Sequence, residues 1–452
     1  MSKNMIALDL GSTFIKAAVF DVERQKVLFS EKCHTPEKRP NEDPAVFEND
    51  AEAFVDAVKA MIRRCAREVP QLRGLLLSTQ QHGCVLCHPQ LERDTYISWQ
   101  DTRCLGLDPG TGKSYLEELQ ELLPPQVMEN TGVPVKPALA LCNLYALFQQ
   151  GGLERREETR VYTLGAYIIE RLTGNNVCHI TNAAPMGFAN ILDRTWRRDI
   201  LARTGLDFIR LPRITAGLEC CGVYTDGDLR LEVYPDVGDV QTSVYGTGAR
   251  SGDMIVNIAT SGQLIYISDE YVPGDYEIRP YYDGNYCNVI SRMPGGRNFD
   301  VQIDYIRDVG EKVFGQSLSR EAVWRQVQAR MTGPEEDGGL AVDCSFYELP
   351  DRLADGAISH ISHVNLTLEH VIAATAQDFG RQYRRFAGTL CDFSEFSGTL
   401  YLSGGAILKN PILRQAVTGA MGAERTVAAS ADEVYGGMFK LAQKCVCGRE
   451  CA

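Results

Sequence analysis

The chain's 452 residues leave room for roughly two to three domains and a large buried core. With 46 Lys and Arg against 59 Asp and Glu, a formal net charge of −13, it has no basic excess with which to displace counterions from a nucleic acid or an anionic membrane. Hydrophobic residues at 44% and charged residues at 23% exclude a disordered or fibrous chain, and no apolar run reaches the roughly 18 residues a membrane helix needs.

The opening MSKNMIALDLG has none of the marks of a signal peptide, so the expected location is the cytoplasm. From Met5, MIALDLGSTFIKAAVFD is an apolar run holding one acid, a Gly-Ser-Thr turn and a second apolar run, which predicts a tight β-hairpin. AFVDAVKAMIRRCA has helical apolar spacing, and RGLLLSTQQHGCVL from Arg73 reads as a buried strand entering a polar loop. Strand and helix alternate here in the α/β rhythm. RVYTLGAYIIERLTG predicts a helix ended by Gly174 as its C-cap. From Met254, MIVNIATSGQLIYIS repeats the first hairpin's design about half a chain later, which points to two related domains with the hinge between PDVGDVQ and Met254. Thr367 precedes Leu368, Val371, Ile372, Phe379, Tyr383 and Phe386 on one helical face. GTLYLSGGAILKNPILRQAV then reads as a strand, a double glycine and a helix started at Asn410-Pro411. TGPEEDGG from Thr332 reads as a surface loop.

Fifteen cysteines, an odd number spread along a long chain, are expected as free thiols. Cys84-Val-Leu-Cys87-His88 has the spacing of a haem-attachment motif but reads as small core fillers before a turn. Cys445, Cys447 and Cys451 lack a fourth ligand for a closed zinc site. His360 and His363 likewise have no third ligand in pattern and are expected to be solvated or capping.

Phosphoryl transfer needs donors for the phosphates, a carboxylate to organise magnesium, and a base for the attacking hydroxyl. Asp9, in an apolar strand beside Gly11-Ser12-Thr13, is an expensive place for a carboxylate without a cation or donors, although it could also cap the turn. Asp239 follows a glycine and precedes small residues, which suits a backbone approached by a ligand and also suits a simple turn. Lys16 lies on the second strand near the first Gly-Ser-Thr turn.

Seven segments in order, LDLGSTFIKA, STQQHG, SWQDTRC, ERLTG with TNAAPMG, GDVQTS, NIATSGQ and SGGAILKN, resemble the FGGY carbohydrate kinases of the glycerol kinase and xylulokinase type, in the actin-like ATPase superfamily. The resemblance covers nearly the whole chain. It implies an α/β fold of two ribonuclease-H-like domains with a cleft between them, residues 1–246 carrying the sugar and one phosphate loop and 247–452 the nucleotide. SWQDTRC, GDVQTSVY, NIATSGQL and SHVNLTLEHV look most like the sedoheptulokinases, and Val240 stands where xylulokinases usually carry asparagine.

The resemblance implies ATP and Mg²⁺ as cofactors and transfer of the γ-phosphoryl to a primary hydroxyl of a ketose, sedoheptulose first, with xylulose or ribulose as alternatives. By the same resemblance Asp239 becomes the base and Asp9 the magnesium-organising carboxylate. Gly11, Ser12, Thr13 and Thr260, Ser261, Gly262 become the phosphate loops, with Gly404, Gly405 and Asn410 on the adenosine. Gln81, His82, Trp99, Asp101 and Gln241 join Asp239 around the sugar. Trp99 by composition alone would be a core residue. Departures from the pattern are Phe346-Tyr347-Glu348-Leu349-Pro350 where many relatives have Gly-Glu-Arg, and Pro294 before Gly295-Gly296 where asparagine is usual. A regulator without turnover and a nucleotide-driven structural protein of the same fold are the rival readings; the paired Asp9 and Asp239 and the sugar-loop set argue against them. Partners are the small-molecule sugar and ATP, with no nucleic acid and no membrane, and a homodimer left open.

Overall fold

The structure, a computed structural model, describes residues 3–330, 337–429 and 433–447. Its contacts divide the chain into two units: Met1–Gly246 with Arg279–Gly284 and Asp432–Ala452, and Thr247–Ile278 with Asn285–Ala431. Where the sequence reading runs one domain from 247 to 452, residues 279–284 and the helix Glu433–Cys447 therefore lie with the first unit. Phe439 on that helix meets Phe20 edge-on at 5.4 Å. Most of the TGPEEDGG segment and Cys451 fall outside the described residues.

In the first unit the predicted hairpin is the pair Asn4–Leu10 and Phe14–Asp21, antiparallel, with Lys26–His34 added beyond it. On the other side Leu72–Thr79 joins Asn4–Leu10 in parallel, and Leu229–Gly238 joins Leu72–Thr79 in parallel. The second unit repeats this order and these directions. Met254–Ile258 pairs antiparallel with Gly262–Ser268, which pairs antiparallel with Tyr286–Met293; on the far side Thr399–Ser403 and Arg425–Ala428 follow in parallel. The repeated hairpin in the sequence is thus the start of a repeated sheet.

The parallel strands are buried on both faces, which is why they read as continuous apolar runs rather than as alternation. Helix Ala51–Glu68 covers one face of the first sheet. Asp50 caps its start by accepting the Glu52 N–H, and Phe54, Val55, Val58, Met61, Ile62 and Cys65 recur at helical spacing into the core that holds Ile6, Leu8 and Val19. Phe54 meets Tyr96 in a T-shaped contact at 5.3 Å. Since Phe54 is fully buried, Phe54→Ala is expected to cost about 3–5 kcal/mol through lost burial and a residual cavity. An unchanged urea midpoint for the first unit's transition would contradict this packing.

In the second unit, Thr367 accepts the His370 N–H to start the helix Leu368–Leu390. Its buried face carries Ile372, Phe379, Tyr383 and Phe386, with Phe379 stacked on Phe299 at 4.9 Å; Leu368 lies at the margin of this core, while Val371 packs against a separate small cluster of Leu340, Val342 and Ala374. Gly174 ends its helix in the left-handed region at φ +79°, as its position predicts.

Candidate active site

Three parallel strands of the first unit end at one edge of the sheet, and in such sheets the carboxyl ends are where ligands bind. The register sets Asp9 beside Ser78, and Gly238 beside Thr79. Asp9 is 6% exposed; the Ser78 hydroxyl donates to its Oδ1 at 3.1 Å, and Lys16 Nζ lies 4.0 Å from its Oδ2. Burial raises the Asp9 carboxyl above its ordinary range, opposed by the Lys16 charge and the Ser78 hydrogen bond. Asp239 opens the helix Asp239–Thr247 with its Oδ1 accepting its neighbour Val240's N–H at 2.8 Å. Although the residue keeps part of its surface open, loss of water and then the negative charge of Asp9 push its carboxyl up to about 7, against the pull of the Val240 N–H and Arg279.

The Asp9 charge raises the Asp239 carboxyl, so negative charge at this edge is only partly offset by Lys16 and Arg279. Among the described residues no three His, Cys, Asp or Glu side chains cluster to cage a metal. Mg²⁺ keeps several waters and binds through one or two carboxylates together with substrate phosphates. The donor set at this edge, two oxygen-bearing acids in Coulombic reach of each other, fits such an ion.

The Gly11-Ser12-Thr13 turn is closed by the Gly11 N–H donating to the Phe14 carbonyl at 3.1 Å, leaving Ser12 and Thr13 exposed. Thr35, just past the end of the strand Lys26–His34, braces the turn through its hydroxyl to the Gly11 carbonyl at 2.8 Å and its N–H to the Thr13 carbonyl at 3.1 Å. In the second unit Thr260 and Ser261 are exposed at the equivalent turn, while Gly262 is buried where a Cβ would overlap the Tyr383 hydroxyl. Gly404 has φ +91° and no room for a Cβ beside the Ile258 carbonyl, so this glycine is demanded by the packing of strand ends; Gly405 faces open space. Asn410 accepts the N–H groups of Ile412 and Leu413 at 3.1 and 3.2 Å, which makes it the N-cap of the helix Pro411–Met421.

The residues expected on the sugar side divide sharply. His82 is partly exposed and holds φ +69°, a conformation costly for a residue with a Cβ and one that loops at functional sites retain. Trp99 is 41% exposed, so this aromatic face is not part of a core. Gln81 and Gln241 turn inward. Gln81 Nε2 donates to the Thr181 carbonyl at 2.6 Å and to Gln241 Oε1 at 2.9 Å, and Gln241 Nε2 donates to the Pro280 carbonyl at 3.3 Å. Among the described residues, Gln81 Oε1 and Asn182 Oδ1 are buried acceptors without a hydrogen-bond partner near this edge. Asp101 is fully buried and grips Arg103 through two bonds of 2.9 and 2.7 Å while also accepting the Phe47 N–H at 2.7 Å. Its bidentate pairing shapes the loop that carries Trp99.

Residues that the motif reading did not single out tie this edge together. Tyr96 is fully buried under Gly83, where a Cβ on that glycine would lie 2.7 Å from its hydroxyl, and the Asp239 charge helps to push its phenol well up after the larger effect of burial. Asp236, three residues before Asp239, is fully buried and accepts from Thr163 Oγ1, the His179 N–H and Asn182 Nδ2 at 2.9, 3.0 and 2.9 Å. Thr181 and Asn182 lie within the TNAAPMG landmark, so their identity was visible while their contacts were not.

Outside this edge, Cys84 is a core filler with no exposed surface, and His88 bonds the Glu154 carbonyl at 3.0 Å. Every cysteine whose side chain is described is a free thiol. Of the C-terminal cluster, Cys445 is buried, while Cys451 and the side chain of Cys447 lie outside the described residues. His360 and His363 are exposed.

A sheet repeated in both units, with Asp9 and Asp239 at the strand ends of the first and a Gly-Ser-Thr or Thr-Ser-Gly turn in each, matches the two-domain fold expected of an actin-like ATPase. Comparison with known proteins gives the family: residues 4–231 match the N-terminal domain of the FGGY family of carbohydrate kinases, and the chain belongs to that family. It is 21% identical to sedoheptulokinase from Mus musculus over 97% of both chains. Xylulose kinase from Streptomyces rubiginosus is 26% identical over 60% of this chain and 54% of its own. Among solved structures, gluconate kinase from Lactobacillus acidophilus superposes with a TM-score of 0.80 at 18% identity, covering 98% of this chain and 89% of the other. The protein is an ATP-dependent sugar kinase. No described helix is long and apolar enough to cross a membrane.

Proposed function

We propose that the chain transfers the γ-phosphoryl of ATP to the terminal primary hydroxyl of a ketose, with sedoheptulose the expected substrate. The observation that carries the chemistry is the pair Asp9 and Asp239 at one sheet edge, with Asp239 poised near neutrality. Asp239 accepts the proton of the attacking hydroxyl; the charge of Asp9 makes it a better proton acceptor than an ordinary carboxylate. Asp9 is the group that would hold Mg²⁺, which when bound would neutralise charge building on the transferred phosphoryl. Gly11, Ser12 and Thr13, and Thr260, Ser261 and Gly262, serve as phosphate loops; Gly404 and Gly405, with Asn410 fixing the helix beside them, take the nucleotide. His82 and Trp99 contact the sugar directly, and the open acceptor of Gln81 takes one of its hydroxyls. Asp101 and Gln241 support these side chains from behind. The free thiols and the absence of a basic excess support a cytoplasmic setting.

The sugar assignment rests on full-length similarity to a sedoheptulokinase together with the SWQDTRC and GDVQTSVY segments. ADP release with MgATP, measured over sedoheptulose, xylulose, ribulose, fructose and simple polyols, tests it: the highest kcat/KM is expected for sedoheptulose. A clear preference for xylulose would replace the name of the sugar and leave the mechanism. Trp99→Ala is expected to raise KM for the ketose about three- to tenfold, near 1 kcal/mol of lost ring contact, with KM for MgATP unchanged. An unaltered KM for every sugar would remove Trp99 from the pocket.

The pH dependence follows from the raised carboxyl. Below about 7 Asp239 holds a proton and cannot accept another, so kcat/KM is expected to rise with pH through that region and level off above it. Bound Mg²⁺ favours the ionised form and would move the rise to lower pH. A profile flat between pH 5 and 8 at every Mg²⁺ concentration would contradict a base in this state.

A further inference from the structure

The catalytic strand and the sugar loop leave the sheet at neighbouring points, and one short segment touches both. Thr181 Oγ1 accepts the Gly238 N–H at 3.0 Å, immediately before Asp239, and lies 2.7 Å from His179 Nδ1. That nitrogen also accepts the Thr181 N–H at 3.3 Å, so the hydroxyl proton points to the imidazole and its lone pair to Gly238. The Thr181 carbonyl meanwhile accepts from Gln81 on the sugar loop. Next to it, Asn182 Nδ2 divides between Thr79 Oγ1, the end of the strand that feeds that loop, and Asp236 on the catalytic strand, each at 2.9 Å. Gly238 has no room for a side chain against Gln81 Nε2, so the two loops are held in direct contact.

We propose that Thr181, backed by Asn182 and Asp236, is a positioning element that locks the loop bearing Asp239 against the loop bearing Gln81 and His82. The proposal rests on the reading of Asp239 as the base. A loop leaving a strand end is otherwise free to shift, and a misplacement of about 1 Å costs on the order of a hundredfold in rate. Fixed hydrogen bonds from a buried segment give that placement without the cost of ordering it at each turnover.

Thr181→Val keeps the shape and removes both hydroxyl bonds. With the ketose that the wild type turns over best, kcat is expected to fall about 10- to 100-fold while KM for MgATP stays within about twofold. Thr181→Ser, which restores the hydroxyl, recovers most of that loss. Asn182→Asp sets a second carboxylate against Asp236 and is expected to lose activity, and adding Asp236→Asn, which reverses the polarity of the pair, regains part of it. Assays are run well below each variant's melting temperature, so a reduced folded fraction cannot imitate the kcat effect. Wild-type kcat in Thr181→Val, or a serine variant as slow as the valine one, would overturn the proposal. Asp239→Asn measured alongside separates the two claims: if it still turns over, the base assignment fails whatever Thr181 shows, and if it is inactive while Thr181→Val is unimpaired, only the positioning claim fails.

Discussion

Asp239→Asn lowers kcat by about 10²–10⁴-fold and leaves sugar and MgATP binding within a few-fold of wild type, the expected result for loss of a general base. The side chains are isosteric and the backbone bond from Gly238 to Thr181 remains, so the loop keeps its place. The same substitution is expected to raise the melting temperature above pH 7 in the absence of Mg²⁺. The folded Asp239 carboxyl is raised to about 7 from an ordinary 3.8, so the folded state holds a proton that the unfolded state has lost. That contribution is fully present below about 3.8 and disappears as pH rises through 7, where the carboxylate must ionise beside Asp9. Asparagine escapes this penalty, so the variant's advantage shrinks as the pH is lowered. Equal melting temperatures at pH 8 would contradict a strained carboxylate.

Asp9→Asn is expected to cut kcat on the order of 10²–10³-fold, with the defect greatest at low Mg²⁺. Asparagine still accepts the bond from Ser78 Oγ, so the strand end is kept while the charge is lost. Without Asp9, burial still raises the Asp239 carboxyl, but the Val240 N–H, Arg279 and its own backbone N–H oppose it with one fewer charge against them, so it falls back and the rise of kcat/KM moves to lower pH. The pH shift separates an electrostatic partner from a purely structural one. A variant with full activity and an unmoved profile would remove Asp9 from the site.

Much of this was legible in the sequence because it is written in short range. An apolar run holding Asp9 and followed by Gly-Ser-Thr reads as a strand and turn with an acid at the end, and its repetition at Met254 strengthens that reading and marks the second sheet. Caps such as Thr367 and Gly174 act within four residues of their own helix, so their chemistry is local too. What the motif reading did not reach is direction. The family resemblance puts Gln81, Gln241 and Asp101 around the sugar, whereas the fold turns much of their hydrogen-bonding capacity inward, on partners such as Thr181 and Phe47 that are 100 and 54 residues away. Asp236 was invisible for the same reason, since its three donors come from Thr163, His179 and Asn182. Composition alone favours the core for Trp99, whereas the resemblance puts it at the sugar, and the residue is 41% exposed.

The measurement that bears most directly on the central claim is ³¹P NMR of the protein turning over MgATP with sedoheptulose. Transfer to a primary hydroxyl predicts that the γ-phosphorus signal of ATP is replaced by a phosphomonoester resonance split by two methylene protons, in step with ADP formation and absent with Asp239→Asn. ADP formed with inorganic phosphate as the sole product, or a phosphoester that persists undiminished in the Asp239 variant, would contradict it.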